Sequence, residues 1–503
     1  MDYNSLFDSS IKRRNVLSWI DFDKNSYVLL IGERSRAFMP YFISLGIKND
    51  YVDTLDDAKK VLGGDKYSDI IVYGQSANRL FTEIDITGGI KQGKRYFLLL
   101  DNTLAANSLS GYEDPKTHTF FSPFKADLKE RTDCLRKELQ SYLNELGVGE
   151  QQKRIFYTYP SNEFTEQIFS DAFLPQVGQL HNSSYPISNR RIDLYPLSEM
   201  YDYYIRAGVI REFMNSFLIV LGNVQPDWDY VKFSVERKPE YRIITRVKKD
   251  KIINKIALNK QSAKHVNRLP ILEGYLNQKC RNTRIKINHC ISSDDGTVYL
   301  EYIDGSSLDK ILDEYLYKDD EAGFSNLINQ YIENIHSIYP EDNVSGLDID
   351  LIFQNIIINQ DTWNVIDYEW TFTDRELPVE YLIYRAFYYY YYQSDVAREK
   401  YSFEELLSIF DLQIFDDTLM QELERKIQNE IGDNSEDATH YLTRYSIEEL
   451  MEYKKMAEER MDLITFWKSA AEERMQILQN QRKELDSIKS SKWWRIFRHL
   501  MKQ

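Results

Sequence analysis

Cysteine and net positive charge are scarce in this chain, long apolar runs are missing, and each shortage excludes something. The three cysteines, Cys134, Cys280 and Cys290, are scattered without CxxC spacing. Neither a disulfide framework nor a thiolate metal site is expected, and a reducing compartment suits the chain. A formal net charge of -16 argues against nucleic acid as a general partner, because a binder of phosphate backbones needs a basic face. No stretch is apolar for long enough to span a membrane, and the opening MDYNSLFDSSIKRRNVLSW has no run of signal-peptide length. A cytoplasmic location is expected. Glycine and proline disappear altogether after Gly432, so nothing there interrupts a helix.

What is present divides into four zones. With 503 residues, 43% hydrophobic and 14% aromatic, there is material for two to four domains with sizeable cores. Residues 1–222 alternate short apolar runs (YVLLIG, SDIIVYG, YFLLLDN) with helical lengths, the pattern of a parallel α/β sheet. Residues 230–435 open with the alternating strands YRIITRV and KIINKIAL and then turn helical, as far as VEYLIYRAFYYYYYQ. Residues 440–490 are dense in charge. Positions spaced alternately four and three apart (Leu450, Lys454, Ala457, Met461, Ile464, Lys468, Ala471, Met475, Leu478, Arg482, Leu485) are apolar in eight of eleven cases. That repeat predicts a coiled coil and hence a homo-oligomer; its basic exceptions, fourteen residues apart, are of the kind that fixes register. A single long helix lying on the protein body is the alternative. Residues 491–503 form a basic tail with Trp493, Ile496, Phe497 and Leu500 at i, i+3, i+4 and i+7. Such a helix suits the headgroup layer of an anionic membrane, or else packs as a cap on another subunit.

The chemistry concentrates in LDIDLIFQNIIINQDTWNVIDYEW, Leu347 to Trp370. This mostly apolar segment keeps Asp350, Asn355 and Asp367 where Leu or Val would pack more easily. IIINQDTWNVID reads as a hairpin with a strand at Ile356–Ile358, a turn at Asn359–Asp361 and a second strand ending at Asp367. Closing it brings Asn355 and Asp367 together near Asp350. Two carboxylates and an amide oxygen make a hard-oxygen site of the kind Mg²⁺ takes beside nucleotide phosphates.

The spacing resembles the protein-kinase-like fold, in its small-molecule branch of aminoglycoside, choline and lipopolysaccharide kinases. The resemblance makes Asp350 the acceptor of the substrate hydroxyl proton, and Asn355 and Asp367 the residues that hold Mg²⁺ against ATP. It makes VYLEYIDGSSLDKIL the strand, hinge and helix where adenine meets backbone around Glu301 and Ile303. It assigns Lys255, in KIINKIALNKQSAKHV, to the phosphates, with Glu273 as its paired carboxylate. Two departures stand out: Asp348 occupies the usual histidine position, and ERKPEYRIITRVKKDK offers no glycine-rich turn.

YVLLIGERSRAFMPYFISLG resembles the first strand, turn and helix of class I S-adenosylmethionine-dependent methyltransferases. This implies a Rossmann-like domain with Gly32 in the cofactor turn and Asp53 on the ribose. Arg34 and Arg36 stand where later glycines belong; they crowd that cofactor or welcome a different, anionic ligand. SGYEDPKTHTFFSP and FYTYPSNEFTEQIFSDAFLP resemble a methyltransferase subfamily of bacterial surface-glycan clusters. The whole order is similar to bifunctional kinase–methyltransferases that cap O-antigen chains: a Rossmann-like parallel-sheet domain, an α+β kinase-like domain, a coiled coil and a membrane-binding helix. That resemblance implies ATP-dependent phosphoryl transfer to a lipid-linked surface glycan, at the inner face of the cell membrane. A non-catalytic scaffold that organises glycosyltransferases, and a methyltransferase acting alone, remain as alternatives.

Overall fold

The computed structural model describes residues 10–113, 119–121, 133–180, 190–193, 195, 197–249, 251–412, 417–433, 443–492 and 494. The chain forms two compact units, the larger built from residues 1–191 and 195–443 and the smaller from 192–194 and 444–503.

The first strands in the chain are β1 (Tyr27–Ile31), β2 (Lys48–Val52), β3 (Asp69–Tyr73), β4 (Arg95–Asn102), β5 (Asp133–Cys134), β6 (Lys153–Tyr159), β7 (Gln167–Ser170), β8 (Arg190–Asp193) and β9 (Ser216–Leu221); all but β8 lie within the larger unit. β2, β1, β3 and β4 are parallel neighbours in that order, and β9 runs antiparallel between β4 and β6. Their residues are apolar on both faces because both faces are covered. Leu29, Ile31, Ile70, Val72, Leu98 and Leu100 face one core, while Val28, Leu30, Ile71, Phe97 and Leu99 face another. A continuous apolar run is the sequence signature of such a doubly covered strand.

The sheet continues past residue 222. β10 (Tyr230–Ser234) pairs antiparallel with β7 through Val231 opposite Ile168 and Lys232 opposite Gln167. β11 (Ile243–Lys248), β12 (Ile252–Ala257), β13 (Ile285–Ile287), β14 (Cys290–Asp294) and β15 (Thr297–Glu301) follow in the chain. Of these, β11, β12, β15 and β14 extend the same sheet, which reaches 13 strands. The parallel and antiparallel zones expected from the sequence are therefore two stretches of one hydrogen-bonded layer.

Below that layer, β16 (Ser306–Ser307), β17 (Asn343–Asp348), β18 (Ile356–Asn359), β19 (Thr362–Val365) and β20 (Thr371–Pro378) build small sheets among helices. The helix Glu321–Ile338 starts where the Asp320 side chain accepts from Gly323 N–H. It buries Phe324, Ile328, Tyr331, Ile335 and Ile338, a four-three stripe against the third core. The helix Val379–Gln393 is buried on nearly every side, which accounts for its tyrosines and places Arg385 indoors.

The smaller unit contains the helix Ile447–Ser490, 44 residues without interruption and about 66 Å long at 1.5 Å per residue. Among the described residues no helix is long and apolar enough to cross a membrane. The expected membrane-binding tail lies largely outside the described residues.

Candidate active site

The hairpin forms with β18 and β19 in register from Ile356 opposite Val365 to Asn359 opposite Thr362, so Gln360 and Asp361 make a two-residue turn. At its open end Ile366 N–H donates to Asn355 O at 2.9 Å, which fixes the start of the Asp367 segment against Asn355. Asn355 Nδ2 donates to Asp350 O at 3.0 Å. The amide is thereby oriented, and its Oδ1 is left to accept. The loop itself is held from three sides. Tyr331 OH donates to Leu351 O at 2.8 Å, Arg385 Nε to Ile349 O at 3.1 Å, and Ile349 N–H to Trp370 O at 3.3 Å.

Asp350 is 13% exposed and faces Arg385 Nη2 at 3.2 Å. Burial pushes its carboxyl up to about 6, with Arg385 opposing the rise and the charges of Asp367 and Glu369 adding to it. The two carboxylates expected to converge thus lie within each other's field. Asp348, which departs from the histidine that the sequence resemblance leads one to expect, is buried; its Oδ1 accepts from Asp350 N–H at 3.1 Å. Burial and the neighbouring Asp350 hold its carboxyl well above the usual range.

Lys255 projects from β12, with its Nζ 2.7 Å from Asp367 Oδ1 and 3.7 Å from Glu369 Oε2. Burial favours its neutral amine, but Asp367 and Glu369 win and raise its pKa. The pairing with Glu273 expected from the sequence does not form. Glu273 accepts from Cys290 N–H at 3.0 Å and bonds His289 Nδ1 at 2.9 Å. It is committed to the start of β14, whereas the hairpin delivers its own carboxylates to Lys255. Glu369, Arg237, His265 and Arg385 were not singled out from the sequence. For Glu369 a signal existed, since it stands two residues beyond Asp367 in the same apolar segment.

At the hinge, Glu301 N–H donates to His289 O, and Glu301 O accepts from Asn288 Nδ2, both at 3.0 Å. Among the described residues the Ile303 backbone makes no hydrogen bond. It is the available donor and acceptor at the edge that the resemblance assigns to adenine.

Among the described residues no group of three or more His, Cys, Asp or Glu is arranged to hold a metal. The expected set supplies one carboxylate and one amide. Asp367 Oδ2 and Asn355 Oδ1 remain as acceptors, because Lys255 takes only Oδ1 and Asp350 O takes only Nδ2. Two protein oxygens fit Mg²⁺, which keeps waters and substrate phosphates in the rest of its shell.

Gly32 and Asp53 lie at the other end of the sheet, eight strands from β12 to β1 in the sheet order, on the order of 40 Å at the usual spacing. They do not join the Lys255 site. Gly32 closes a tight turn: its N–H donates to Val52 O, and its O accepts from Ser35 N–H and Ser35 Oγ–H. Asp53 accepts from Tyr51 OH. The arginines expected to crowd or replace a cofactor have partners of their own, Arg34 an ion pair with Glu163 and Arg36 the face of Tyr51 at 5.9 Å. Residues 33–38 form a 3₁₀ turn in place of an open glycine loop, so the turn does not reproduce the glycine-lined approach that S-adenosylmethionine needs.

No family model and no curated protein matches the chain. Among solved structures it is similar to the streptomycin–ATP–APH(2'')-IIa ternary complex, at 11% identity over 40% of this chain and 92% of that one, with a TM-score of 0.20. It is also similar to the macrolide 2'-phosphotransferase MphH from Brachybacterium faecium, at 8% identity over 39% and 82%, TM-score 0.21. A third is the ADP-bound aminoglycoside phosphotransferase APH(2'')-Ib, at 11% identity over 43% and 95%, TM-score 0.20.

Proposed function

We propose that this chain is an ATP-dependent phosphotransferase of protein-kinase-like fold that acts on a sugar hydroxyl of a bacterial surface glycan. The observation that carries the reading is the placement of Lys255 on Asp367, at the mouth of a hairpin whose other members are Asn355 and Asp350. Asp350 is the base: a carboxyl raised to about 6 is ionised at neutral pH and still basic enough to take a hydroxyl proton during transfer. Lys255 pairs with the phosphates, and the Ile303 backbone meets the adenine. Asn355 and Asp367 hold Mg²⁺, which when bound neutralises charge on the transferring phosphoryl group.

The glycan acceptor follows from the sequence resemblance to O-antigen-capping enzymes. So does the peripheral position at the inner membrane face, through residues 491–503. A methyltransferase-like fold for the first layer follows from the sequence resemblance alone. The Arg34–Glu163 pair counts against S-adenosylmethionine, so we assign that layer to support of the phosphotransferase and its glycan. The helix Ile447–Ser490 joins copies of the chain.

The test is incubation of wild type and Asp367→Ala with γ-labelled ATP, Mg²⁺ and a membrane glycan extract. Label is expected on glycan with wild type and is lost in the variant. Equal labelling in both, or none in either, rejects phosphoryl transfer.

A further inference from the structure

We infer that Glu369 is the positioning residue of Lys255, in the role the family resemblance gives to Glu273. The inference rests on the phosphotransferase reading and adds to it a buried anchor on the same strand-and-hairpin module.

Glu369 is 1% exposed, yet it is surrounded by nitrogen. Its Oε1 lies 2.7 Å from Arg237 Nη1, and its Oε2 lies 3.7 Å from Lys255 Nζ and 3.5 Å from His265 Nε2. A carboxylate buried beside a guanidinium and an ammonium is matched in charge where it stands. The Trp370 ring seals the group, with Arg237 5.1 Å and His265 5.0 Å from its centre. Glu369 Oε2 and both His265 ring nitrogens have no hydrogen-bond partner among the described residues. The arrangement holds an acceptor in reserve.

Asp367 is the other carboxylate on Lys255 and differs in setting, being 32% exposed against 1% for Glu369. A half-buried carboxylate is available to a divalent ion, whereas one buried 2.7 Å from Arg237 Nη1 is not. With an ion on its Oδ2, Asp367 would share its charge between the metal and Lys255, whereas Glu369 would remain a counter-charge that no ion draws on. A buried ammonium without a counter-charge is strongly disfavoured, so Glu369 keeps Lys255 charged and aimed at the phosphates. Glu273 has no part in this, because His289 and the Cys290 N–H occupy it.

The experiment uses the full chain. ATP–Mg²⁺ affinity is measured by calorimetry for wild type, Glu369→Gln, Glu369→Asp and Glu273→Gln, alongside melting of the ligand-free variants with and without Lys255→Met. Glu369→Gln is expected to weaken binding about tenfold or more, Glu369→Asp to recover part of the loss, and Glu273→Gln to stay within about twofold. Without ligand, the Tm losses of Lys255→Met and Glu369→Gln are expected to be non-additive, as for groups in contact, and those of Lys255→Met and Glu273→Gln additive. Where Glu369→Gln does not fold, Glu369→Asp enters the same cycle. The inference is overturned if Glu273→Gln carries the binding loss, if the Lys255–Glu369 cycle is additive, or if extra Mg²⁺ restores Glu369→Gln, which makes Glu369 a metal ligand. Failure of wild type to bind ATP removes the phosphotransferase reading instead, and the ligand-free cycle then decides the anchor alone.

Discussion

Arg385 and Asp350 are joined across the floor of the site, guanidinium Nη2 to carboxylate Oδ1 at 3.2 Å. The same guanidinium donates through Nε to Ile349 O and through Nη1 to Glu424 on the helix Asp417–Ile431. One planar fork therefore fixes the loop backbone, the candidate base and a helix from the end of the unit. Lysine has one point of charge and no such fork.

Arg385→Met should destabilise the larger unit by about 3–5 kcal/mol, the usual cost of leaving a buried charge without its partner. Arg385→Lys should cost less stability and still depress phosphoryl transfer, since it cannot hold Ile349 O and Asp350 together. Denaturant unfolding and the labelling assay check the two separately. A change within about 0.5 kcal/mol for Arg385→Met, the range of an ordinary surface substitution, means the fork is not formed.

Asp313 gives a pH signature. Its Oδ1 accepts from Tyr390 OH at 3.0 Å and Ser394 Oγ at 2.6 Å. Burial outweighs both bonds and raises its carboxyl to about 6. A folded pKa above the unfolded value means that the native state binds the proton more tightly. The associated stability is complete below pH ~4 and is lost as pH rises through about 6. Asp313→Asn keeps an acceptor for both hydroxyls and does not titrate. The stability of wild type relative to this variant should fall by about 2–3 kcal/mol between pH 4 and 7. A flat difference curve rejects the shift.

Gly32 is required by geometry alone. Its φ is +96°, and a Cβ there would sit 2.6 Å from Tyr73 O, a backbone atom of the adjacent strand. Gly32→Ala adds a clash to a backbone conformation that L-residues rarely adopt. It should lower stability by more than about 1 kcal/mol, read as a drop in Tm of the full chain, while Gly46→Ala, with open space around its Cβ, carries only the backbone strain. Equal losses at the two positions would show that the approach to Tyr73 is not tight.

These contrasts explain what was legible in the sequence. Asp350, Asn355 and Asp367 were readable because a short hairpin makes their meeting a local matter of strand register. The apolar runs of β1, β3 and β4 were readable because full burial on both faces removes the polar alternation. The partners of Lys255 were not, since they are chosen across more than 100 residues, with Asp367 112 residues away; the one pointer to Glu369 was its place two residues beyond Asp367. The sheet that crosses residue 222 was hidden for a similar reason: among the described residues β10 and β7 are in register through two residue pairs, Val231–Ile168 and Lys232–Gln167, too short a ladder to mark the sequence. The Arg34–Glu163 pair links a turn to a loop about 130 residues later, so the sequence showed only two arginines out of pattern.

The helix Ile447–Ser490 leaves its heptad residues open in the single chain, with Met461 62%, Ile464 48%, Met475 61% and Leu478 64% exposed. Large apolar groups also stand off that seam, among them Leu463, Phe466 and Trp467. A helix this apolar around its middle is costly to leave in water, at roughly 25 cal/mol for each Å² of apolar surface. Self-association would relieve the cost along the seam, and Lys468 there would limit how tightly copies close. Ile464→Glu with Leu478→Glu should lower the oligomer number seen by sedimentation, while Lys468→Leu should raise the melting temperature of the assembly. If the double glutamate variant sediments as wild type does, the seam is not where copies meet, and the off-seam residues Leu463, Phe466 and Trp467 become the face to substitute.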